Sequence, residues 1–140
     1  MEIKEVSPNK KRNLAMFKNY DMELPSKVPQ ATGYRILLLP LKPKEKTSGG
    51  ILLPEQSQDV ALDSMMCFYV VSMGSACYCD TAKYGPEPWC LPGDWVISSK
   101  HGGVRTMVKT DSGLWLQMRI INDDEIFGTT DDPEVLVKQR

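Results

Sequence analysis

The sequence predicts an all-β protein, a small barrel built as one domain. Three observations carry that expectation. Apolar runs of strand length recur from Gly33 to Gly128. Turn-forming residues punctuate them, and helical spacing is almost absent from the same stretch. At 140 residues with 41% hydrophobic content, the chain suits a single modest core.

Residues 1–32 differ from the rest and are set apart as an N-terminal extension. They hold six basic and four acidic residues, a formal +2, against −3 for the remainder. Leu14, Phe17, Tyr20 and Leu24 fall at helical spacing, and Pro8, Pro25 and Pro29 bracket them. A short amphipathic helix or an arm draped on the domain is expected. The barrel domain is assigned to 33–128. Its first strand is Tyr34–Leu39, ended by Pro40, and its second is Met66–Val71, ended at Gly74. Pro92-Gly93-Asp94 is a turn into a third strand, Trp95–Ser98. Val104–Lys109 and Leu114–Ile120 flank Asp111-Ser112-Gly113, a hairpin turn. Ile126 and Phe127 form a last short strand, and 129–140 is a C-terminal tail. Trp95 and Trp115 are expected in the core or at the barrel end.

Two long connections interrupt this pattern, about 42–64 and 75–92, and loops of that length in a compact domain usually carry function. Within the first, Gly49-Gly50 precedes Ile51-Leu52-Leu53, and Pro54 and a polar run follow. Three aliphatics in a polar loop suit a hook for another molecule. Burying each is worth roughly 1.5–3 kcal/mol, a useful but weak grip. The same residues also fit an ordinary core strand.

Composition sets limits on function. A net charge of −1 gives no electrostatic footprint for nucleic acid. Apolar runs such as Ile36–Leu39 are far short of a membrane span. No signal-peptide pattern opens the chain, so the expected compartment is the cytoplasm and Cys67, Cys77, Cys79 and Cys90 are expected as free thiols. Zinc at Cys77, Cys79, Cys90 and Cys67 or His101 is disfavoured, because Cys77-x-Cys79 is tighter than structural zinc spacing. His101, beside Gly102-Gly103, belongs in a turn. No phosphate-binding loop or dinucleotide fingerprint is present, and no nucleophile has a convincing base. An enzyme is not expected, nor a cofactor.

The order of these features resembles the GroES (chaperonin-10) family of co-chaperonins. The residues that carry the resemblance are Tyr34-Arg35-Ile36-Leu37-Leu38, then Gly49-Gly50-Ile51-Leu52-Leu53, then Phe68 to Gly74. Pro92-Gly93-Asp94-Trp95-Val96-Ile97, Gly102-Gly103-Val104 and Asp123-Asp124-Glu125-Ile126-Phe127 follow in order. The resemblance spans about Gly33 to Gly128. The chain departs from the family in its long extension, its Cys- and Pro-rich second connection and its tail. Extended members of this kind look similar to co-chaperonins encoded by bacteriophages.

The resemblance implies a GroES-like barrel with a mobile loop at 42–64 and a roof hairpin at 75–92. It implies a heptamer that caps a nucleotide-bound, GroEL-like chaperonin and encloses a client polypeptide, a viral capsid protein in the phage case, in the host cytoplasm. Gly49, Gly50, Ile51, Leu52 and Leu53 would bind the chaperonin. The first strand of one subunit would pair with the last of its neighbour, placing Tyr34, Ile36, Leu38, Glu125, Ile126 and Phe127 at the subunit interface. A roof hairpin folded about Tyr84-Gly85 would set Cys79 opposite Cys90, where a disulfide is geometrically possible and reduced thiols are favoured. Trp89 would face the cavity. A second reading is a monomeric small β-barrel module that presents 42–64 to another protein.

Overall fold

The computed structural model describes residues 6–20, 22–41 and 65–136. Six strands form one antiparallel sheet: β1 (Arg35–Pro40), β2 (Met65–Met73), β3 (Trp95–Ser99), β4 (Val104–Lys109), β5 (Trp115–Asn122) and β6 (Ile126–Thr130). Their spatial order is β4-β5-β1-β2-β3-β6. The fold is therefore all-β, and the barrel-like sheet stays open, with β4 and β6 as its two edges. Among the described residues no helix is long and apolar enough to cross a membrane.

The run Ile36-Leu37-Leu38-Leu39 explains the layering. Successive strand side chains point to opposite faces, so four consecutive aliphatics need both faces covered. Ile36 and Leu38 join Phe68, Val70, Val96, Ile121 and Ile126 on one side. Leu37 and Leu39 join Tyr69, Trp95, Val108 and Met118 on the other.

The second face is covered by the N-terminal segment. A short helix α1 (Lys10–Ala15) tightens into a 3-10 helix over Met16–Asn19 and stops at extended Tyr20. Leu14, Phe17 and Tyr20 recur every three residues, the period at which 3-10 side chains align. Leu24 lies beyond the helical turns yet packs on the same face, with Val28 and Ala31. Phe17, Tyr69 and Trp95 stack in tilted and edge-on contacts, with Phe17 4.9 Å from Tyr69 and Tyr69 5.3 Å from Trp95. Asn13 Nδ2 donates to the Gly93 carbonyl at 2.6 Å, and the Ser7 amide to that of Pro92, also at 2.6 Å, so the segment is tied to the β2–β3 turn. The extension is thus part of the barrel's own core.

Three expectations change. The segment 75–92 holds no strand; it contains one helical turn, α2 (Thr81–Tyr84), ended by Gly85 at φ 91. Pro86, Pro88 and Pro92 have no N–H to give to a ladder, which explains why a hairpin loses here. Trp115 is exposed, unlike the fully buried Trp95, because the half of β5 that carries it extends beyond the covered sheet. The barrel does not end at Gly128: Thr129 and Thr130 continue β6 opposite Val96 and Trp95.

Candidate functional site

The insertion expected to grip a partner leaves the sheet between β1 and β2, two adjacent central strands. Its exits are anchored. Pro40 faces Phe68 in the ladder, and the Leu41 amide donates to the Cys67 carbonyl at 2.9 Å. Leu41 and Cys67 are both buried. The residues expected to bear the grip, Gly49, Gly50, Ile51, Leu52 and Leu53, lie outside the described residues, as does the whole of 42–64. Among the described residues, the β1–β2 ladder runs up to both ends of the insertion.

The six residues expected at a subunit interface separate into two groups. Ile36, Leu38 and Ile126 lie in the interior of this chain. Tyr34 and Phe127 are exposed, at 49% and 61%. Glu125 is half-buried and turned inward, its carboxylate accepting the Asn122 amide at 2.9 Å to close a capping box. β1 pairs with β2 on one side and β5 on the other. Its backbone groups are spent within the chain, so β1 offers no free edge to a neighbour. The expected pairing of this strand with a neighbour's last strand would have to displace one of these two ladders.

The segment 75–92 is organised by Asp123, which the sequence pattern had marked only as an acidic turn. Its carboxylate accepts the Tyr78 amide at 3.0 Å and the Tyr84 hydroxyl at 2.7 Å, while its carbonyl accepts the Tyr78 hydroxyl at 2.7 Å. The two bonds from Tyr78 hold it at φ 58, a left-handed conformation uncommon for an aromatic residue. Trp89 packs on Tyr78 and Tyr84 and donates its indole N–H to the Tyr84 carbonyl at 2.9 Å. The ring is thus held against the protein and remains 42% exposed. An open depression of about 440 Å³ lies here, lined by Tyr34, Asp80, Lys83, Tyr84, Asp123 and Asp124 among others.

All four cysteines are free thiols. Cys79 is exposed while Cys90 is buried, so the two are not opposed across a hairpin. Burial pushes the Cys90 and Cys67 thiols up to about 12. Burial, followed by the neighbouring Cys90, raises the Tyr78 phenol as well. Groups held this firmly protonated are poor nucleophiles and poor metal ligands. Among the described residues no cluster of three His, Cys, Asp or Glu could hold a metal ion. His101 is exposed in the turn between β3 and β4.

A further grouping went unread in the sequence. Alternation along β4 and β5 brings Arg105 and Arg119 directly opposite each other, and Lys109 opposite Trp115. The signal was present in the strand spacing, but the register that pairs the two arginines comes from the Asp111–Gly113 turn. No protein-family model matches this chain, and no curated protein matches it.

Proposed function

We propose that this chain is a co-chaperonin, a non-enzymatic cap for a GroEL-like chaperonin in its nucleotide-bound state. The observation that carries the reading is topological. A small antiparallel barrel closes its ladder on both sides of a long insertion, and the middle of that insertion reads Gly-Gly-Ile-Leu-Leu. Three aliphatics in a polar insertion suit a grip on a partner. The two glycines allow a tight turn that aims the aliphatics, and Ile51, Leu52 and Leu53 would enter an apolar groove on the chaperonin. One such contact is weak; several on one ring act together, because later contacts are intramolecular. Weak single contacts also let the cap leave when the chaperonin's surface changes. In this role the chain needs no cofactor, and ATP hydrolysis belongs to the partner. The enclosed client is a polypeptide, and a viral capsid protein if the chain is phage-encoded. The work would take place in the host cytoplasm.

The test is co-elution with a bacterial GroEL-type chaperonin, with and without nucleotide, alongside a variant with Ile51, Leu52 and Leu53 all changed to Ser. Nucleotide-dependent co-elution that the variant loses is the expected result. Co-elution unaffected by the triple change would overturn the hook. The double-sided pairing of β1 favours one further reading, a monomeric barrel module that presents 42–64 to another protein. A 15.8 kDa species that ignores the chaperonin would select it.

A further inference from the structure

Alternation places six side chains of β4 and β5 on one face of the sheet. Arg105, Met107 and Lys109 of β4 stand opposite Arg119, Gln117 and Trp115 of β5. Three are cations, one is an amide, and none is a carboxylate. The other face of the same hairpin carries Val108, Leu116, Met118 and Ile120, which pack with the N-terminal segment. The cationic face is open instead. Arg105, Met107, Lys109, Gln117 and Trp115 are all exposed, Trp115 by 61% and Met107 by 53%. A surface of one charge sign beside an exposed indole suits an anionic ligand with an aromatic part.

The sixth residue supplies a second, independent observation. Arg119 is 6% exposed, and its buried Nε has no hydrogen-bond partner. Its Nη1 donates to the Gly102 carbonyl at 3.2 Å, and its guanidinium stands 5.5 Å from the Phe68 ring. Burial, followed by the neighbouring Arg105, lowers its pKa from the usual guanidinium value. Among the described residues neither arginine has a carboxylate partner; the ion pair there is Lys83 with Asp124. A buried cation directly across the ladder from a second cation is destabilising, and a bound anion offsets that cost.

We propose that this face binds a nucleoside monophosphate, with the phosphate at Arg105 and Arg119 and the base on Trp115. Charge selects the phosphate. A phosphate monoester carries about −1.5 to −2 near neutral pH, which matches two arginines. A carboxylate or a phosphodiester carries a single negative charge and leaves one arginine uncompensated. Arg105 is exposed, so its planar donor fork can meet the phosphate oxygens directly. Arg119 forms the floor of the site and acts through its charge, which its apolar surroundings strengthen. Gln117, two residues from Arg119 on the same face, supplies a further donor. Length selects the nucleoside. The arginine pair and the Lys109–Trp115 pair lie four residues apart on β4, about 14 Å at roughly 3.4 Å per residue. A base joined to phosphate through a sugar reaches along Met107 towards the indole, whereas a ring bonded directly to phosphate falls short. Trp115 offers a stacking surface, and the Lys109 ammonium stands 6.0 Å from its ring centroid. The proposal rests on the β4–β5 face alone and is independent of the chaperonin reading.

Isothermal titration calorimetry of the full chain with adenosine monophosphate tests it. Adenosine, inorganic phosphate, phenyl phosphate, a short oligodeoxynucleotide without a terminal phosphate and a polyglutamate peptide are titrated beside it. The monophosphate is expected to bind, inorganic phosphate and phenyl phosphate to bind more weakly, and adenosine not at all. Arg105→Gln is expected to weaken the monophosphate roughly ten- to hundredfold, the loss of a hydrogen bond to a charged group. Arg105→Lys keeps the charge without the fork and is expected to fall between that variant and the parent. Trp115→Ala is expected to bring the monophosphate down to the affinity of inorganic phosphate while inorganic phosphate itself is unchanged. Lys11→Gln, at an exposed cation of the N-terminal segment, is expected to change nothing. No heat with the monophosphate at millimolar concentration would overturn the inference, as would equal binding in Arg105→Gln or an equal loss in Lys11→Gln. So would a Trp115→Ala chain that still prefers the monophosphate to inorganic phosphate as strongly as the parent. An oligonucleotide or a peptide bound as tightly as the monophosphate would also sink it.

Discussion

Single side chains in this fold behave according to the layer that receives them. Trp95 and Trp115 both begin strands, yet one is enclosed by Phe17, Tyr20 and Tyr69 and the other faces solvent. The buried cysteines carry a similar environmental signature, which is testable by pH. Burial raises the Cys67 and Cys90 thiols from 9.0 to about 12. A folded chain therefore keeps protons that the unfolded chain releases above pH 9. Stability from these groups is fully present below pH 9 and is lost as pH rises from 9 towards 12. Denaturant midpoints are expected to hold steady below pH 9 and fall above it, and the fall should be shallower in Cys67→Ala than in the parent. An equal alkaline slope in both proteins would rule out Cys67 as a source. Thiol reagents at neutral pH are expected to label exposed Cys79 well before the buried Cys67 and Cys90.

At the level of elements, the sheet depends on a few places where backbone approaches backbone. Gly74, at the end of β2, is one. A Cβ there would meet the Gly33 carbonyl oxygen and come within 2.6 Å of the Thr32 carbonyl carbon. Neither is the yielding end of a side chain. Gly74→Ala is expected to cost about 1–3 kcal/mol, the range for forcing atoms into a filled site. Gly113 in the β4–β5 turn sets the contrast. It sits at φ 96 with nothing within 4 Å, so Gly113→Ala costs backbone strain alone, about 1 kcal/mol. Urea melts of the two variants separate steric from conformational cost; equal losses would contradict this account. The same scale explains why 75–92 folded as it did. Asp123, placed by the end of β5, draws in Tyr78 and Tyr84 together, and the prolines remove the competing ladder.

For the whole molecule, the N-terminal segment decides whether the barrel is viable. Leu37, Leu39, Tyr69 and Trp95 are almost wholly enclosed, and Leu14, Phe17, Tyr20, Leu24 and Val28 supply that cover. Exposing a large apolar side chain costs roughly 1.5–3 kcal/mol, and small domains hold only about 5–15 kcal/mol in reserve. Removal of residues 1–31 is therefore expected to abolish cooperative unfolding and leave an aggregating chain, as read by circular dichroism and light scattering. A soluble truncated barrel with the parent's melting temperature would show the segment to be dispensable.

Sequence by itself determined the strands. Tyr34–Leu39, Met66–Val71, Trp95–Ser98, Val104–Lys109 and Leu114–Ile120 differ from the observed strands by a few residues at most. Alternation and turn chemistry are local, and a local signal survives in a one-dimensional string. The exposed turn at His101 and the burial of Trp95 were legible for the same reason. Tertiary structure alone decided which strands became edges. Ile36, Leu38 and Ile126 read as available interface residues, and only the order β4-β5-β1-β2-β3-β6 places them inside. Strand order is set by contacts between residues far apart in the chain, such as Leu38 with Arg119 and Trp95 with Thr130, and spacing within a segment holds no record of them. The Arg105–Arg119 pair and the Asp123 hub are products of that same long-range register.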